Sequence, residues 1–176
     1  MRGVIVVLFS LWFVGFAVAG EFTGHVIGIL EGDTIEVLHK KRAERIRLIG
    51  IDCPEKRQPF GEKAKHAATS LVFGKDVSIQ THGKDKHRRT LAEVLLSDGT
   101  SLNQALVAGG WCWWYPKYAI NNSELKRLES QARLRKRGLW TDPYPVPPWE
   151  WRKWRERPDT RAVTPEASEL IGHTTR

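Results

Sequence analysis

Between Phe22 and Ile51 the chain carries three short β-branched runs in succession, separated only by turn signals. FTGHVIGIL (22–30) alternates loosely, Glu31-Gly32-Asp33 marks a turn, and TIEV (34–37) alternates again, the pattern of a β-hairpin. Lys40 to Glu44 supplies a second, charged turn, and RIRLIGI (45–51) reads as the third strand. Sequential strands joined this way commonly lie side by side, so the pattern predicts a meander.

The third strand is apolar along its length and charged only at its ends. Ile46, Leu48, Ile49 and Ile51 are core residues, whereas Arg45 and Arg47 open the run and Asp52, Cys53, Pro54 and Glu55 close it. Strand ends reach solvent, which alone accounts for charge there. A rigid strand is also a post that holds cations and carboxylates over one site. Along a regular strand Arg47 and Asp52, an odd number apart, point to opposite faces, so Gly50 is expected to break the alternation if the two act together.

Downstream, Ala64, Ala67, Ala68, Leu71 and Val72 fall at helical spacing and Gly74 stands where a C-terminal cap would. Val77, Ile79 and Thr81 alternate as a strand, 82–89 is a hydrophilic loop dense in charge, and Leu91–Leu96 is a further strand. TSLNQALVAGG is a short helix ended by two glycines. Ser123–Arg137 is a longer one with Leu125, Leu128 and Ala132 on one face. Five strands and three helices result. Beyond Trp140 the chain turns to DPYPVPPWEWRKWRERP, whose prolines predict an extended segment (141–158) with Trp149, Trp151 and Trp154 docking on the domain or forming a partner surface. From Asp159 to Arg176 apolar content falls, and a disordered tail is expected.

The chain has 176 residues, enough for one domain (20–140) with these extras. Residues 1–19 stand apart: Met-Arg, an apolar run of sixteen residues, and Ala17-Val18-Ala19 describe a secretory signal peptide cleaved after Ala19. The alternative is an uncleaved N-terminal anchor, for which the run is short, since a spanning helix needs about 20 residues. Arg2 is the only charged residue in that segment, so of 28 basic and 20 acidic side chains the mature protein keeps 27 and 20. A basic exported protein has polyanions as candidate partners. With two cysteines and six scattered histidines, no CxxC or HxxxH grouping exists, which excludes the usual zinc clusters and leaves any metal to oxygen ligands.

Asp33, at the first hairpin turn, and Asp52, at the third strand's end, meet if those strands adjoin, and two aspartates with nearby carbonyls suit calcium. Singly, each is ordinary: an acid beside a glycine is usually a turn former, and Arg47 alone would be a solvated side chain. In order, however, EGDTIEV, RIRLIGIDCPE, KDKHRRTLAEV and LNQALVAGG resemble the thermonucleases, the staphylococcal-nuclease-like proteins, from about Phe22 to Trp140. PVPPWEWRKWR is similar to an extension of exported bacterial members.

That resemblance implies an OB-type Greek-key barrel of five strands with three helices, hydrolysing phosphodiesters in DNA or RNA with calcium as cofactor. Asp33, Asp52 and the main-chain carbonyl of Cys53 would hold the metal, with Glu31 nearby. Glu55 would orient or deprotonate the attacking water, and Arg47 and Arg89 would bind phosphate oxygens. Where the family has Tyr-Gly-Arg, this chain has His87-Arg88-Arg89, so the last role falls to one of two neighbours; the spacing to Leu91-Ala92 selects Arg89. Trp113, Trp114 and Tyr115 offer aromatic faces for bases, or pack under the last helix. The family fold would bring Cys53 and Cys112 near enough to bridge. The expected protein is a periplasmic or extracellular monomer without stable membrane association after cleavage. The alternative is an OB-fold module that binds nucleic acid without cutting it.

Overall fold

The computed structural model describes residues 20–156; the expected signal peptide and tail, with the last two residues of the extension, lie outside the described residues. The elements run β1 (Glu21–Glu31), β2 (Thr34–His39), β3 (Arg42–Leu48), β4 (Ile51–Asp52), α1 (Gly61–Val72), β5 (Asp76–Lys84), β6 (Thr90–Leu95), α2 (Leu102–Ala108), β7 (Trp113–Trp114), α3 (Pro116–Ala119), α4 (Ser123–Leu134), a 3-10 turn (Gly138–Thr141) and α5 (Pro148–Glu156). Strands β1-β2-β3-β6-β5 close into a barrel. Its pairs are antiparallel except β3 with β6, which run parallel. The predicted OB-type barrel is thus the fold, and α1, α2 and α4 are its three predicted helices.

Alternation fills the interior. Val26, Ile35, Val37, Ile46, Leu48, Ile79, Ala92 and Val94 are all fully buried. Burying one such aliphatic side chain stabilises the fold by about 1.5–3 kcal/mol. Ala64, Ala68 and Val72 form the buried stripe of α1, and Leu102 and Leu106 that of α2. Ser101 caps α2 by accepting from the Gln104 amide. A polar side chain enters this apolar interior from α2. Asn103 donates to the carbonyls of Ile49 (2.9 Å) and Ala92 (3.3 Å) and accepts from the Val94 amide (3.2 Å). A buried amide so satisfied pins the chain where β3 ends.

The apolar stretch 45–51 is accordingly two strands. β3 stops at Leu48, Ile49-Gly50 turns, and β4 resumes at Ile51. Gly50 has φ +78°, and a Cβ there would lie 2.9 Å from Leu125 Cδ1 and 3.1 Å from Ala119 Cβ, so both its backbone and its surroundings call for glycine. This turn removes the parity conflict between Arg47 and Asp52.

One expectation is corrected. The segment after Pro147 is helix α5, not extended chain. Prolines crowd its approach and its first position, where the missing N–H costs nothing, and none follows within the helix. Pro148 is buried, and Trp149 packs against the cluster of Trp113, Ala132, Leu139 and Trp140. No helix among the described residues is long and apolar enough to cross a membrane.

Candidate active site

Three carboxylates and two guanidinium groups converge where β2 begins and β3 and β4 end. In the β2–β3 pairing Thr34 faces Arg47, and the Leu48 amide donates to the Asp33 carbonyl (2.9 Å), which sets Asp33 beside the end of β3. The turn at Gly50 brings the carbonyls of Leu48 (2.6 Å) and Ile51 (2.9 Å) onto Arg47 Nη1. Nη2 of the same arginine donates to Asp52 Oδ1 (2.9 Å) and lies 3.2 Å from Asp33 Oδ2. One fork therefore joins the two aspartates, each almost fully buried.

Their backbone is tied as firmly. The Cys53 amide donates to Asp33 Oδ2 (2.8 Å), and the Thr34 hydroxyl donates to Oδ1 (3.0 Å). Cys53 and Cys112 form a disulfide with Cα atoms 4.1 Å apart. Above it sits Gly32, where a Cβ would approach Cys53 Cβ to 3.0 Å and Ala64 Cβ to 2.9 Å. Close packing thus requires the glycine of Glu31-Gly32-Asp33.

Glu55 lies in the irregular chain after β4. Its amide donates to Gln58 Oε1 (3.1 Å) and its carbonyl accepts from the Gln58 amide (2.8 Å). Its carboxylate accepts from Arg152 Nη1 (2.6 Å), and Nη2 of that arginine donates to Asp52 Oδ2 (2.7 Å). Buried Gln58 also donates to the Val146 carbonyl (2.6 Å), joining the Glu55 loop to the approach of α5. Sequence reasoning assigned no role to Gln58 or Arg152. Trp149 and Arg152 fall three residues apart, a helical spacing that the proline-rich approach obscures.

Arg89 precedes β6 and is half-buried. Asp85 holds it, accepting from its amide (2.9 Å) and its Nε (2.8 Å). Arg88 is exposed with φ +64°. The Arg89 charge reaches Glu31, as does that of Arg47. Of the three candidate stacking rings, Trp113 is buried with its ring centroid 4.4 Å from that of Trp140 and 5.7 Å from that of Trp149. Trp114 is half-buried and donates to the Ala119 carbonyl (3.0 Å), while Tyr115 is stacked on Trp149 at 5.0 Å and 10°.

The site holds more negative than positive charge. Burial raises the Glu31 carboxyl above its ordinary value, and the charges of Asp33 and Glu55 add to that. Burial raises Asp52 as well, Asp33 adds to the effect, and the arginines pull the other way without cancelling it. For Arg152, burial would lower the pKa, but the hydrogen bonds and charges of Asp52 and Glu55 more than reverse this. An all-oxygen donor set with surplus negative charge fits a hard divalent cation. Among the described residues no three acidic, histidine or cysteine side chains enclose a metal by themselves, so such an ion would complete its shell with a main-chain carbonyl and water.

Comparison with known proteins agrees with the geometry. The profile of the staphylococcal nuclease homologue family matches residues 45–142. An uncharacterized endonuclease of Escherichia coli is 43% identical over 132 residues, covering 75% of this chain and 86% of the relative. Protein ParB of Escherichia coli is 39% identical over 142 residues (76% and 80%), and a micrococcal nuclease of Shigella flexneri is 34% identical over 142 residues (76% and 82%).

Proposed function

Because the chain belongs to the staphylococcal nuclease homologue family, we propose that it is an exported, calcium-dependent nuclease that hydrolyses phosphodiesters in DNA, RNA or both. The observation that carries this reading is the convergence of Asp33, Asp52 and Glu55 with Arg47 at the end of β3.

Asp33, Asp52 and the Cys53 carbonyl are the residues that would hold calcium. When bound, the ion polarises the phosphate and offsets the charge that builds on its oxygens. Glu55 orients a water and takes its proton as the water oxygen attacks phosphorus; the bond to the leaving oxygen breaks, that oxygen takes a proton from solvent as it departs, and Glu55 returns its own proton to solvent. Arg89, held by Asp85 through Nε, presents its Nη pair to phosphate oxygens, and Arg47, whose Nη groups are engaged by Leu48, Ile51, Asp52 and Asp33, binds phosphate by exchanging one of these contacts; both charges offset the charge that develops. The four hydrogen-bonding and ionic contacts of Arg47 hold its guanidinium in place before substrate arrives.

The test is incubation of the purified mature protein with plasmid. Calcium should give cleavage and a chelator should abolish it. Retarded but intact plasmid would instead identify a binding module.

The same reading takes residues 1–19 as a signal peptide and the product as a periplasmic or extracellular monomer. Mass spectrometry of the exported protein should then find Gly20 or Glu21 at the N-terminus; intact Met1 in the membrane fraction would mean an anchor.

A further inference from the structure

We propose that Arg152 is a positioning residue of the active site: by bridging Asp52 and Glu55 it fixes the metal-binding carboxylate and the water-activating carboxylate relative to each other. This rests on the nuclease reading above.

The two acids need such a brace because the backbone between them is irregular. Asp52 ends a two-residue strand, and residues 53–55 have no regular structure. Among the described residues Arg152 is the only hydrogen-bond partner of the Glu55 carboxylate. Its planar fork reaches both acids at once, with Nη1 at 2.6 Å from Glu55 Oε1 and 3.4 Å from Asp52 Oδ1, and Nη2 at 2.7 Å from Asp52 Oδ2. Charge-assisted, two-point contacts of this kind constrain direction as well as distance.

α5 also has docking contacts that do not involve this charge. Trp149 stacks on Tyr115 and meets Trp113 edge-on, Pro148 is buried, and Gln58 holds the Val146 carbonyl. These contacts do explain how a residue a hundred positions away arrives at Asp52. In the β4–β7 pair Asp52 faces Trp113, Trp113 packs on Trp149, and Arg152, one turn along α5, closes the circuit onto Asp52. A cation placed among carboxylates that must receive calcium also opposes the metal, so its presence there calls for a role beyond adhesion.

Positioning and competition push two measurements in opposite directions. Loss of an outer partner of a liganding or catalytic group typically lowers activity 10- to 100-fold, so Arg152→Ala should lower kcat by about that much with little change in KM. Removing a unit positive charge beside the ligands of a divalent ion should tighten calcium binding by about fivefold or more even in water-like screening. Arg152→Lys keeps the charge without the fork, so it should bind calcium as the parent does and show an intermediate kcat.

The experiment uses the full chain, with calcium affinity read by calorimetry in the absence of substrate, steady-state kinetics on DNA, and millimolar guanidinium added to the alanine variant. Expected are tighter calcium binding, lower kcat and partial rescue by guanidinium. A parental kcat in Arg152→Ala overturns the proposal, as do parallel losses of kcat and calcium affinity without rescue, which would mean that Arg152 only holds the fold together. If the parent itself cleaves no phosphodiester, the nuclease reading fails and the positioning role of Arg152 falls with it; a parent that cleaves DNA beside an alanine variant of parental kcat overturns the positioning role alone.

Discussion

Replacing Glu55 with glutamine is expected to cut turnover by 10²–10⁴-fold while leaving calcium binding and the affinity for a nonhydrolysed nucleotide near parental values. The magnitude is that of a lost general base, because the amide keeps the shape but cannot take the water's proton. Its backbone contacts to Gln58 do not involve the carboxylate, so the loop that carries residue 55 should persist. Single-turnover kinetics under saturating calcium would isolate the chemical step. A variant that hydrolyses DNA at the parental rate would end the role assigned to Glu55 and leave this rim as a metal post and phosphate anchor.

Loss of the Cys53–Cys112 disulfide is expected to lower stability by about 4 kcal/mol, the chain-entropy value for a bridge closing 59 residues. Urea unfolding of the Cys53→Ser, Cys112→Ser double variant, or of the parent with and without reductant, would measure it. Calcium affinity should fall with stability. Cys53 holds Asp33 through its amide, and freeing its sulfur from the chain near β7 loosens that hold. An unchanged unfolding midpoint would mean that the packing around Gly32 and Ala64 secures this corner alone.

The sequence shows where the aspartates meet more plainly than what stands over them. Short turns and alternating residues specify the hairpin register, and that register brings Asp33 to the end of β3. Gly50 was readable as the place where alternation must fail, because Arg47 and Asp52 differ by an odd number of residues. Arg152 was not readable. Nothing in periodicity relates position 152 to position 52, and the contact depends on stacking of Trp149 against Tyr115, a tertiary fact. Proline density also misled: the prolines lie before α5 and at its first position, where they start a helix rather than prevent one. The choice between Arg88 and Arg89 is likewise a matter of loop conformation, since Asp85 gathers one and leaves the other in solvent.

The barrel closes through pairings that join Glu21 to Gln80 and Ile46 to Thr90. No shorter stretch of chain contains a closed barrel, and distant strand pairing of this sort folds slowly, on a scale of milliseconds to seconds. The contact between Asp52 and Arg152 spans further still. As the ribosome extends the chain, the first acids of the site are made early and wait for partners that emerge last. A copy that lacks α5 lacks the brace between Asp52 and Glu55, so full turnover is expected only once synthesis is nearly done.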